Sequence, residues 1–104
     1  MAEWVEIAKL EEIGPGGRRA LLGEEEILLV RQGDTVYGLS YLCSHQDMEL
    51  EGGYAEGDAW VCPHHGARFS LKTGEALAMP AVEPVRSYPV KVESGKVFMQ
   101  EPAP

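Results

Sequence analysis

Both cysteines and all three histidines of this chain fall in two short stretches, "CSH" at 43–45 and "CPHH" at 62–65. The spacing is Cys43-x-His45, sixteen residues, then Cys62-x-x-His65. Four such side chains complete one tetrahedral metal site, so a structural zinc is one reading. Structural zinc sites usually draw their ligands as C-x₂₋₄-C and H-x₃₋₅-H pairs, whereas here each stretch supplies one Cys and one His. That interleaving suits two metals. Each loop can place its thiolate on an inner iron and its imidazole on an outer one, provided the fold brings the two loops face to face.

The rest of the chain reads as a framework for such loops. A length of 104 residues makes a single domain, 1–104, with a modest core, and 44% hydrophobic residues argue against disorder. "WVEIAKL" alternates apolar and polar residues. "LEEIGPGG" holds a turn of helix at most before Gly14 and Pro15 break it. "ILLV", a turn at Gln32-Gly33-Asp34, and "TVYGLS" form a hairpin. "YPVKVESGKVFMQ" repeats the design, turning at Ser94-Gly95. No stretch sustains a helical period. The fold class is therefore all-β: an antiparallel sandwich or barrel framework with a small loop subdomain inserted at about 41–85, where Gly and Pro are too frequent for simple sheet.

A net charge of −8 argues against nucleic acid, which needs clustered Lys and Arg, and suits a basic partner or plain solubility. No apolar run approaches a membrane span and the N-terminus has no leader pattern, so a cytoplasmic protein without a membrane partner is expected. In that reducing compartment the two cysteines should stay unbridged.

With these residues in view, "CSH…CPHHGARFSLKTGEAL" resembles the Rieske motif C-x-H…C-x-x-H-G, and the short chain is most similar to the Rieske-type ferredoxins of the low-potential branch. The resemblance spans nearly the whole chain and includes Pro63, Gly66 and Phe69. It implies one [2Fe–2S] cluster per chain, with Cys43, His45, Cys62 and His65 as both cofactor-binding and metal ligands. His64 is then a loop residue outside the ligand set. Gly66 would let the backbone approach the cluster sulfurs, Pro63 would stiffen the loop, and Pro80, within 78–84, would hold a covering loop. Respiratory members carry two further bridging cysteines, where this chain has Met48 and His64. They also place a Ser and a Tyr hydroxyl beside the sulfurs, where this chain has Ala67 and Phe69. Without those donors the reduction potential should fall toward the low end of the Rieske range.

No acid/base pair, activated nucleophile or phosphate loop is evident, so no catalytic residue is assigned and the expected role is a one-electron carrier rather than an enzyme. The resemblance implies a reductase as donor and a terminal oxygenase, such as an aromatic-ring dioxygenase, as acceptor. The alternatives are the small redox subunit of a nitrite reductase-type enzyme or, in a different class, a zinc-stabilised β interaction module.

Overall fold

The computed structural model describes residues 4–42, 49–63, 66–78 and 84–100. Nearly all of them lie in or between strands. β1 (Trp4–Lys9) leads through a 3₁₀ turn at Leu10–Glu12 to β2 (Arg18–Leu22), β3 (Glu25–Gln32) and β4 (Thr35–Ser40). Then come β5 (Tyr54–Glu56), β6 (Ala59–Val61), β7 (Arg68–Ser70) and β8 (Ala76–Ala78). β9 (Ser87–Tyr88), β10 (Val90–Glu93) and β11 (Lys96–Gln100) close the chain. Among the described residues no helix is long and apolar enough to cross a membrane.

Three antiparallel sheets result, ordered β1-β11-β10, β2-β3-β4-β9 and β5-β6-β7-β8. Both expected hairpins form. β3 and β4 pair from Ile27–Ser40 to Gln32–Thr35, so only Gly33 and Asp34 make the turn. β10 and β11 pair from Val90–Met99 to Glu93–Lys96 around Ser94 and Gly95. Both turn residues have positive φ, 51° at Ser94 and 75° at Gly95, the handedness that two-residue hairpins need.

β3 is the central wall. Ile27 and Leu29 on one face join Ala8, Val36, Val97 and Met99 in one core. Leu28 and Val30 on the other face join Leu39, Leu50, Trp60, Phe69 and Leu71 in a second. Two buried faces explain why "ILLV" is an unbroken apolar run rather than an alternating one. Gly38 on β4 makes the first interface possible: a Cβ there would come within 3.0 Å of Met99 and Val90. β1 adds a bulge between Glu6 and Ala8, so the alternation seen in its sequence slips by one residue and Ala8 faces inward.

Residues 54–78 are more regular than the loop-rich sequence suggests. Their strands are only three residues each but form a four-stranded meander. The sheet gains its stability from the packing of Trp60, Phe69 and Leu71, each at most 1% exposed, on β3 and β4. Strand propensity within three-residue segments would not predict it.

Candidate metal centre

The stretch carrying Cys62 is a hairpin tip. β6 and β7 pair through Val61–Arg68. Beyond that rung, the Cys62 amide donates to the Ala67 carbonyl at 2.8 Å and the Gly66 amide to the Cys62 carbonyl at 3.2 Å. These two bonds extend the hairpin one step past the last rung and bring Cys62 and Ala67 together. Gly66 has φ of +70°, a conformation in which a Cβ is costly. Among the described residues nothing lies within 4 Å of where its Cβ would sit, and the positive φ is by itself a reason for glycine at this turn.

The first stretch leaves and rejoins the framework in a similar way. Leu42 and Glu49 form an isolated antiparallel bridge, and the Leu50 amide donates to the Tyr41 carbonyl at 2.8 Å. Cys43, His45 and Met48 lie between those rungs, outside the described residues, as do His64, His65 and Pro80. Of the expected ligands, the structure therefore places Cys62. Its side chain is 2% exposed, unbridged, and belongs to the core of Leu28, Leu50, Trp60 and Phe69. Ala67 and Phe69 are fully buried in that core.

Residues that sequence reading passed over hold the two loop bases together. The Trp60 indole N–H, two positions before Cys62, donates to the Leu50 carbonyl at 2.7 Å in the interior. Gly53 packs beneath the second loop. A Cβ there would stand 2.0 Å from the Val61 carbonyl and 3.2 Å from both the Pro63 Cδ and the Trp60 indole nitrogen. Gly74 anchors the far side of the small sheet: its carbonyl accepts from Val85, and a Cβ would meet the Val85 carbonyl oxygen at 2.0 Å. The doubled glycine in "EGGYAEGDAW" was the available signal for Gly53, but glycine frequency does not say which backbone comes near.

Tyr41 stiffens the base of the first loop. Its hydroxyl donates to Glu51 Oε1 at 2.7 Å. That bond to a carboxylate, with partial burial, pushes the phenol pKa up to about 12. Arg19, itself bonded to Glu26, stands 5.7 Å from the ring centroid.

A dry, unbridged thiol on a tight hairpin tip, tied to the base of a second Cys/His stretch, fits a cluster thiolate: the site is rigid, apolar and offers a soft ligand. Fold and donor chemistry define the class, a small all-β iron–sulfur protein. More narrowly, the model of the Rieske [2Fe-2S] domain matches residues 3–89, and the chain belongs to that family. Over 77 residues it is 46% identical to the 3-phenylpropionate/cinnamic acid dioxygenase ferredoxin subunit of Escherichia coli K12, covering 73% of each chain. Among solved structures it resembles the ferredoxin of carbazole 1,9a-dioxygenase from Nocardioides aromaticivorans IC177, at 35% identity and TM-score 0.84, over 92% of this chain and 95% of that one. It also resembles a chain in a complex of reduced oxygenase and oxidised ferredoxin in carbazole 1,9a-dioxygenase. There the identity is 29% and the TM-score 0.80, over 94% of this chain and 93% of the other. Family membership brings with it one [2Fe–2S] cluster and the role of a one-electron carrier.

Proposed function

We propose that this chain is the ferredoxin component of an aromatic-ring dioxygenase system, taking electrons from a reductase and delivering them to the terminal oxygenase. The observation that carries the reading is the 46% identity to a dioxygenase ferredoxin subunit over 73% of both chains. In the same reading Cys43 and Cys62 hold one iron and His45 and His65 the other, as the interleaved spacing favours. When bound, the cluster accepts and releases one electron. The protein's part is positional. The buried apolar surroundings of Cys62 exclude water from its thiolate, and the Trp60–Leu50 bond keeps the two loop bases in register. Pro63 and Gly66 are exposed, so the tip next to Cys62 is open to solvent and to a docking partner. A reducing cytoplasm suits the unbridged cysteine.

Purified protein should contain iron and acid-labile sulfide in equal amounts, about two of each per chain. His64→Ala should keep the visible spectrum and His65→Ala should lose it; the reverse pattern would overturn the ligand assignment. Substrate oxidation by a dioxygenase terminal component should depend on added wild-type protein and reductase. A reduced ferredoxin that no such oxygenase can reoxidise would overturn the pathway while leaving the cluster intact.

A further inference from the structure

The chain has nine Lys and Arg residues against seventeen Asp and Glu. Among the described residues five of those cations pair with a glutamate: Arg18 with Glu12, Arg19 with Glu26, Arg68 with Glu56, Arg86 with Glu25, Lys91 with Glu93. The remaining four are Lys9, Arg31, Lys72 and Lys96, and three of them, Lys9, Arg31 and Lys96, line a single cleft of about 390 Å³. In a protein with so large an excess of carboxylates, solvated cations should scatter; these converge.

The fold supports the convergence at its own expense. Lys9 and Lys96 are register partners across β1 and β11, and like charges directly opposite on a strand pair destabilise it. Arg31 is held in place: its Nε donates to the Gly33 carbonyl at 2.7 Å and its Nη1 to the Leu10 carbonyl at 3.2 Å. Two of its five donors are used and three remain. Ser94, at φ 51° in the hairpin turn, also lines the cleft, and the Leu10 amide closes its wall on the Gly95 carbonyl at 2.8 Å. Glu11 is the one acid in the lining, which leaves two net positive charges.

We infer that this cleft is a binding site for a small polyanion of the pyrophosphate class. Two point-charge ammonium groups and a fixed planar guanidinium with free donors match the several acceptor oxygens and double charge of such a group. The bound anion would relieve the Lys9–Lys96 repulsion. The overall negative charge does not forbid it, because at physiological salt fields decay over about 8 Å and the local charge decides. The site lies away from the redox end. Arg31 adjoins the Gly33–Asp34 turn, and the six residues of β4 separate that turn from Tyr41 by about 20 Å. The neighbouring Gln32 side chain donates to Gly57 in the β5–β6 turn, at the opposite end of β6 from Cys62. Occupancy would leave the cluster end free for electron transfer.

The test is titration of the cluster-containing protein with inorganic pyrophosphate at constant ionic strength, followed by amide resonances and calorimetry. One saturable site is expected, with shifts at 9–11, 31 and 94–96. The Lys9→Gln/Lys96→Gln double variant should bind at least tenfold more weakly, while its unliganded melting temperature stays level or rises because a like-charge pair has gone. Lys96→Gln alone should show an intermediate loss. Lys72→Gln removes a cation outside the cleft that has no ion pair among the described residues, and should stay within twofold of wild type. Absence of saturable binding, retention of affinity in the double variant, or an equal loss in Lys72→Gln would each overturn the proposal. So would equal affinity for citrate, which carries charge without phosphate geometry.

Discussion

At Phe69 a single oxygen atom separates two electrochemical outcomes. The side chain is fully buried in the same core as Cys62 and Ala67. Phe69→Tyr adds a hydroxyl with little change in volume, and Ala67→Ser adds one on a smaller scale. A hydroxyl that reaches a cluster sulfur stabilises the reduced state, and about 1 kcal/mol of added stabilisation raises a one-electron potential by roughly 40 mV. A hydroxyl that reaches nothing is left unsatisfied in the interior and costs about 1–3 kcal/mol of stability. Voltammetry and urea unfolding on the two variants distinguish these cases; an unchanged potential with lowered stability would mean that Ala67 and Phe69 do not set the potential. Tyr41 makes a second prediction at this scale. A free phenol loses its proton near pH 10 and this one near about 12. Between those values the unfolded chain binds fewer protons than the folded one, so stability falls as pH rises. Tyr41→Phe should cost about 0.5–1 kcal/mol below pH 10, where the bond to Glu51 is intact, and should flatten the decline above it. Parallel slopes for wild type and variant between pH 10 and 12 would assign the decline to other groups.

Among elements, the decisive pair is β6 and the segment just after the first Cys/His stretch. Trp60 joins them through its bond to the Leu50 carbonyl, buried from solvent. Trp60→Phe keeps an aromatic ring but removes the donor, leaving that carbonyl only the 3.4 Å bond from the Gly53 amide, at a cost of about 0.5–1.5 kcal/mol. Because the Trp60 bond sets the spacing of the two loop bases, the variant should also lose its visible absorbance faster under mild denaturant than Phe98→Leu, a change in the distant sheet. Equal bleaching rates would restrict Trp60 to packing. The short strands β5 to β8 illustrate how a weak element is made firm. Gly53 and Gly74 admit backbone oxygens at distances no Cβ allows, so the small sheet is pinned at both ends by main chain rather than by long ladders.

For the whole molecule, β3 determines cooperativity. Its alternate residues feed two different cores, so the β5-β6-β7-β8 sheet and the β1-β11-β10 sheet share one wall. We expect residues 1–104 to unfold as a single unit despite the insert. Leu28→Ala, at a fully buried position, should cost about 2–5 kcal/mol and move the far-ultraviolet and visible transitions together. A visible transition that shifts alone would show that the insert melts independently.

Much of this protein is written locally, and that part was readable. Alternation and two-residue turns specify the hairpins at 25–40 and 90–100, because both signals act between near neighbours. The Cys-x-His and Cys-x-x-His stretches announce cluster chemistry for the same reason: each loop carries its own pair. What tertiary structure alone decided lies in contacts between residues far apart in the chain. That "ILLV" is buried on both faces, that Gly53 lies beneath Pro63, that Trp60 reaches Leu50, and that Lys9 stands opposite Lys96 beside Arg31 all depend on which sheets stack and in what register. A single sequence carries no signal for such pairings, since their energy appears only when the partner strand is already in place.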